Sequence, residues 1–230
     1  HLRFAILKAG TVSRRTRERV GDMDAFFRDL LAEPGQRWET FDVEHGQFPA
    51  DLSRFDGLVI TGSAASVYDG EPWIARLLET VRAAYDQGVP QLGICFGLQA
   101  CAQALGGAVQ PNPQGWEIGT VALALTAAGR RWAPLTGAPR PLHILETHSD
   151  IAVQAPPGAV VLARSRRTPV EIFALGERVL CLQGHPELDP ETVGELLEAR
   201  HARGLLDAER AAEARAALRL APPRAFWQGW

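Results

Sequence analysis

The strongest constraint on how this chain folds is an alternation. Short apolar runs at Leu2–Leu7, Gly57–Ile60 and Gln91–Ile94 are separated by segments whose apolar residues recur at helical spacing. Strands that are continuously apolar have both faces buried, and such strands belong to parallel sheets covered by helices. Asp22–Leu31 places Met23, Phe26, Phe27, Leu30 and Leu31 on one helical face. Pro72 opens a second helix through Ile74, Leu77, Leu78 and Val81, closed near Gly88. Phe96–Leu105 reads as a third, stopped by Gly106 and Gly107. Glu39–Val43 adds a short strand.

The middle of the chain reads differently. Thr120–Leu125, Leu142–Leu145, Ala159–Ala163, Val170–Ala174 and Val179–Leu182 are short runs between Pro and Gly clusters, which predicts meander strands, some antiparallel. Helices at Pro190–Arg203 and Asp207–Leu218 follow. No repeat or low-complexity linker divides the 230 residues. The expectation is one α/β domain over residues 1–230: a mostly parallel central sheet, helices on both faces, and a small antiparallel extension within residues 108–175.

Composition excludes several classes. A net charge of −3 gives no global basic field for nucleic acid. No apolar stretch approaches the ~20 residues that cross a bilayer, and no signal peptide is visible at the start. Three cysteines without a CxxC pair, and scattered histidines, argue against a disulfide framework and a structural zinc site. A reducing, cytoplasmic setting is expected. Arg14, Arg15, Arg17 and Arg19 read as a solvated helix or loop face, or as an anion contact. Cys101 and Cys181 read as core. His143 is either near the site or a hydrogen-bonded loop residue. Phe226, Trp227 and Trp230 either pack back on the sheet or mark a partner surface. Tyr68 and Asp69 either rim an entrance or form an ordinary turn.

Gly93-Ile94-Cys95-Phe96-Gly97 lies between a buried strand and a helix, the context of a nucleophile elbow. Glycines let the chain turn sharply and approach the helix closely. The cysteine is held at a helix N-terminus, where peptide dipoles favour the thiolate, the attacking species. Further on, Gln183-Gly184-His185-Pro186-Glu187 follows the last strand. Residues two apart in an extended chain face one side. His185 and Glu187 therefore point together, with Pro186 ending the ladder and Glu187 able to orient the imidazole.

With these residues in this order, the chain resembles the class I (triad-type) glutamine amidotransferase domains. The resemblance runs from Gly57–Ser63 to the final helices. Gly93–Gln99 is similar to the family's nucleophile motif, His185-Pro186-Glu187 to its His-Pro-Glu, and Trp116-Glu117-Ile118-Gly119 to its Glu-Ile-Gly stretch. His148-Ser149-Asp150 is similar to the segment that closes over the substrate. The resemblance implies a flavodoxin-like fold, with Cys95 as nucleophile, His185 as base and then acid, and Glu187 as orienter. It implies an oxyanion hole from the N–H of Phe96 with that of Ser63 or Gly62. Gln99, His148, Ser149 and Asp150 would contact the amino-acid end of glutamine or another γ-glutamyl compound. No metal or cofactor is required.

Two departures bear on the branch. Leu98 stands where many members carry His or Met, and is expected to face the core. Gly184 precedes the His where many ammonia-donating domains have Phe. The Gln-Gly-His-Pro-Glu version and Val67-Tyr68-Asp69 are similar to stand-alone members that include γ-glutamyl peptidases. The chain has no Gly-x-x-x-x-Gly-Lys-[Ser/Thr] loop, so delivery of ammonia would need a separate synthetase as partner. The alternatives are a stand-alone γ-glutamyl peptide hydrolase, a redox-responsive relative built on an elbow cysteine, and a non-catalytic binding module.

Overall fold

A computed structural model describes residues 1–220 and 224–228. β1 (Arg3–Lys8) leads through α1 (Arg14–Val20) and α2 (Met23–Leu31) to β2 (Arg37–Asp42). β3 (Gly57–Ile60), α3 (Pro72–Asp86), β4 (Gln91–Ile94) and α4 (Phe96–Ala104) continue the alternation. The middle holds β5 (Ala108–Pro111), β6 (Glu117–Leu125), α5 (Ala127–Arg131), β7 (Leu142–His148), β8 (Asp150–Gln154), β9 (Val160–Arg164), β10 (Ile172–Leu175) and β11 (Val179–Leu182). The chain then forms α6 (Pro190–Ala202), α7 (Ala208–Ala217) and α8 (Arg224–Gln228).

The main sheet has nine strands in the order β2-β1-β3-β4-β11-β10-β9-β6-β7. The first five are mutually parallel and give the doubly wound, flavodoxin-like part. From β11 onward each neighbour is antiparallel. The antiparallel extension thus prolongs the central sheet, and β5 with β8 makes a separate two-stranded ladder beside it. Turns suffice between antiparallel neighbours, whereas the parallel strands need helical crossovers.

Adjacent residues on the central strands serve opposite faces. Leu7 and Ile60 pack with Leu77, Val81 and Leu98 from α3 and α4, and Cys101 and Cys181 share this core. Leu98 therefore faces inward, as expected. Ile6 and Val59 pack on the other face with Phe27 and Leu30 of α2 and with Trp227 of α8. The Trp227 indole donates to the His143 carbonyl at 3.4 Å, so Trp227 packs back on the sheet with Phe226 beside it. Trp230 lies outside the described residues.

α2 and α7 begin one residue later than the periodicity suggests, because an acidic side chain caps each, whereas α6 begins at Pro190 as expected. Asp22, Asp189 and Asp207 accept backbone N–H groups from Met23, Thr192 and Arg210. The arginine run forms α1, and its cations meet the protein's own anions: Arg15 and Arg19 reach Glu195, and Arg19 also reaches Glu191 on α6.

Gly97 and Gly184 are among the glycines pressed closest against their neighbours. A Cβ on Gly97 would lie 2.2 Å from the Ile60 carbonyl oxygen, because α4 rests directly on β3. A Cβ on Gly184 would lie 2.7 Å from Ile144 Cγ2, a side-chain atom rather than backbone. Gly184→Ala is expected to cost about 1–3 kcal/mol by overpacking, and Gly97→Ala distinctly more, since backbone cannot yield as a side chain does. Urea denaturation of both variants checks the order; equal losses would contradict this packing.

Candidate active site

The residues singled out for chemistry gather at the carboxyl ends of the parallel strands, the usual ligand position in open α/β sheets. Gly62 and Ser63 follow β3, Cys95 follows β4, and His185 and Glu187 follow β11. Cys95 has φ +56° and ψ −107°, the one positive φ at a non-glycine position among the described residues. Such a conformation costs on the order of 1–3 kcal/mol and persists only where its surroundings hold it. Here the Cys95 N–H donates to the Leu182 carbonyl at 2.8 Å. Gly93 makes the close return possible, because a Cβ there would lie 2.6 Å from the Gly97 carbonyl oxygen. Phe96 is the first residue of α4, so its N–H has no acceptor within the helix.

His185 is fixed from two sides. Its backbone N–H donates to the Leu145 carbonyl at 2.7 Å, an isolated bridge to β7. Its Nδ1 meets Glu187 Oε1 at 2.6 Å, with both side chains buried. Its Nε2 is buried without a hydrogen-bond partner. Gly62 sits between His185 and Cys95: a Cβ there would lie 3.3 Å from His185 Cε1 and 3.9 Å from Cys95 Cβ. Burial opposes charge on the imidazole, but the Glu187 carboxylate and negative charge on the Cys95 sulfur outweigh it, so His185 is pushed up to about 10.

Behind the sulfur runs a chain of amides. Gln183 Nε2 donates to Cys95 Sγ at 3.6 Å, and Gln183 Oε1 accepts from Gln99 Nε2 at 3.3 Å. Gln99 Nε2 also donates to the Asp150 carbonyl at 3.0 Å. The Asp150 carboxylate accepts from Ser66 Oγ and from the Tyr68 hydroxyl, each at 2.6 Å. Tyr68 thus braces Asp150, while Asp69 accepts from the Ser66 N–H in the same turn.

His148 ends β7 and belongs to a buried ionic cluster. Its Nδ1 donates to the Asp150 carbonyl at 3.0 Å, and its Nε2 faces Glu146 Oε2 at 2.8 Å and Glu117 Oε1 at 3.3 Å. Burial works against the charge, but these carboxylates hold His148 well above its usual range. Glu146 is also buried, yet the imidazolium and Glu171 keep it below the ordinary carboxylate value. Burial and Glu146 together push Glu171 well above the ordinary carboxylate range. Glu117, Glu146 and His148 have the composition of a cation site, and the two carboxylates favour positive charge on the imidazole among these oxygens.

Two cavities meet at the sulfur. One of about 100 Å³ is lined by Gly62, His185 and Glu187. The other, of about 310 Å³, is lined by Gln99, His148, Ser149 and Asp150. Ser63, Cys95, Thr147 and Arg200 line both. Arg200 reaches in from α6, donates to Thr147 Oγ1, and lies 4.4 Å from the Trp116 ring centroid. Burial lowers it to about 10, against the pull of Cys95, so it stays charged at neutral pH. His143, earlier on β7, lines neither cavity.

Sequence reasoning missed Arg200, which reads as one more charge on a polar helix. It missed Glu146 and Glu171 for a similar reason: each lies in an apolar stretch with no local sign of a partner. Gln183 had a signal, since it opens the Gln-Gly-His-Pro-Glu segment.

Comparison with known proteins places the chain. The family described as glutamine amidotransferase class-I matches residues 30–202. The chain belongs to the class-I glutamine amidotransferase family. It is 31% identical over 232 residues to γ-glutamyl peptidase 3 of Arabidopsis thaliana, covering 98% of this chain and 93% of that protein. It is 37% identical over 152 residues to the glutamine-hydrolyzing GMP synthase of Leifsonia xyli, covering 64% of this chain and 29% of that protein. Among solved structures, a glutamine amidotransferase from Methylobacillus flagellatus superposes with a TM-score of 0.79 at 26% identity, covering 100% of this chain and 91% of that one.

Because His148 is raised in the folded state, its stabilising contribution is full below the unfolded value of about 6.5 and is lost as pH rises through its raised folded value. His148→Leu leaves buried carboxylates uncompensated, an expected loss of about 3–5 kcal/mol near neutral pH. The gap from wild type should narrow in strongly alkaline buffer. Denaturant titrations across pH check this; a small loss, or one independent of pH, would contradict the ionic cluster.

Proposed function

We propose that the chain is a cysteine amidohydrolase that cleaves the γ-glutamyl amide of a γ-glutamyl peptide or of glutamine through a thioester on Cys95. One observation carries this reading. An imidazole held at 2.6 Å by a buried carboxylate presents its other, unpartnered nitrogen in a cavity wall shared with a strained cysteine. Geometry of this kind supplies a nucleophile, a base and an orienter at one point. The stand-alone form is favoured by similarity to a γ-glutamyl peptidase over nearly its full length. The match to GMP synthase covers under a third of that protein, so supply of ammonia to a separate synthetase is the second reading.

The Cys95 thiolate attacks the side-chain carbonyl, forming the S–C bond and moving an electron pair onto the oxygen. The N–H groups of Phe96 and of Ser63 or Gly62 receive that charge; loss of one such donor costs about 3–4 kcal/mol in comparable sites. His185, kept protonated by Glu187, gives its proton to the departing nitrogen as the C–N bond breaks. The amine leaves and a γ-glutamyl thioester remains. His185 then takes a proton from water, whose oxygen attacks the thioester; glutamate departs and the sulfur is restored.

The second cavity suits the amino-acid end of the glutamyl group. The Asp150 carboxylate matches its ammonium, and Arg200 with Arg203 matches its carboxylate. Gln99 acts here as a strut between Asp150 and Gln183, and His148 sets the Asp150 backbone from the ionic cluster.

Cys95→Ala should abolish glutamate release from glutamine and γ-glutamyl peptides; retained hydrolysis would refute the mechanism. Glu187→Gln removes the anion that raises His185. The alkaline limb of the kcat/KM profile should then move toward neutral pH, because the imidazole loses its proton earlier. An unmoved limb would show that Glu187 does not set the proton on His185.

A further inference from the structure

We propose that the cavity on the His185 side of Cys95 is a leaving-group subsite for an amine bearing a compact apolar substituent. The substrate is then a γ-glutamyl derivative of an apolar amino acid. This rests on the γ-glutamyl cleavage proposed above and names the part of the substrate which that reading leaves open.

Direction comes first. The departing nitrogen must receive its proton from His185. His185 and Glu187 line the 100 Å³ cavity, while Gln99 and Asp150 line the other. A γ-glutamyl group seated by its charged end against Asp150 and Arg200 places its carbonyl carbon at the sulfur. Whatever is attached through the amide nitrogen then extends past His185 into the smaller cavity.

Size and lining decide what fits. Ammonia is no larger than water, and one water needs only about 10–15 Å³ by this measure of volume. The cavity holds about 100 Å³. Its apolar wall comes from Val12 after β1, Met23, Phe26 and Phe27 of α2, and Leu188 after the His-Pro-Glu turn. Val12, Phe26, Phe27 and Leu188 are buried. A space with such a wall gains nothing from ammonia or water, and gains by taking apolar surface out of solvent. The volume suits a branched aliphatic or thioether side chain, and Met23, unbranched and flexible, can adjust to its shape.

The test measures kcat/KM for glutamine, γ-glutamylglycine, γ-glutamylleucine and γ-glutamylaspartate with the purified chain. The leucine compound should exceed the glycine compound by ~10–100-fold, the range a hydrophobic pocket provides, and should exceed glutamine and the aspartate compound as well. Val12→Phe fills the cavity and should lower the leucine-to-glycine ratio at least ~10-fold. Met23→Ala, a milder change on a less buried residue, enlarges it and should shift preference toward γ-glutamylphenylalanine. Equal rates on the leucine and glycine compounds, or glutamine as the best substrate, would overturn the subsite while leaving the hydrolase reading intact. Release of glutamate from none of the four would overturn the hydrolase reading itself, and this assignment with it.

Discussion

The site depends on one strand pairing. β4 and β11 lie side by side in parallel, with Leu182 opposite Ile94. That register sets the Leu182 carbonyl 2.8 Å from the Cys95 N–H. It also brings the Gln183–Glu187 segment off the sheet beside the sulfur. Neither half of the site is of use without the other, and no local feature of the chain joins them. The central sheet does so by burying Ile94 and Leu182 on one face and Cys181 on the other. A slip of one residue would exchange those faces.

Holding a strained cysteine and several buried charges together requires compensation nearby. The elbow is clamped by close approaches at Gly93 and Gly97, where only hydrogen fits. The imidazole of His185 has its carboxylate at 2.6 Å and a second anchor through its backbone to Leu145. The ionic cluster of Glu117, Glu146, Glu171 and His148 sits under the same strands and fixes Asp150 from below. A buried pair of this kind contributes little net stability. Its effect is positional: His148 at the end of β7 and Asp150 at the start of β8 hold the turn that forms one wall of the larger cavity.

How much was legible follows from what each feature requires. The elbow and the His-Pro-Glu segment could be read because their needs are local: glycine beside a sharp turn, proline at a strand end, and two side chains on one side of an extended backbone. The alternating α/β part was legible because both faces of its strands are buried. The antiparallel region was harder. β6 begins at Glu117 rather than Thr120 and β7 runs on to His148, since Glu117, Glu146 and His148 are polar residues buried by pairing with one another across the β6–β7 ladder. Hydrophobic pattern cannot report that. Arg200 was hidden for the complementary reason: a lone cation on a polar helix reads as solvated until Trp116 and Thr147 are brought beside it.

The central claim is covalent, and it is tested most directly by mass spectrometry of the protein quenched in acid during turnover of a γ-glutamyl peptide. The account predicts an adduct of one glutamyl group, located by digestion on the fragment bearing Cys95 and discharged by neutral hydroxylamine. A protein that turns over substrate with no adduct on Cys95, or with the glutamyl group on Cys101 or Cys181, would contradict it.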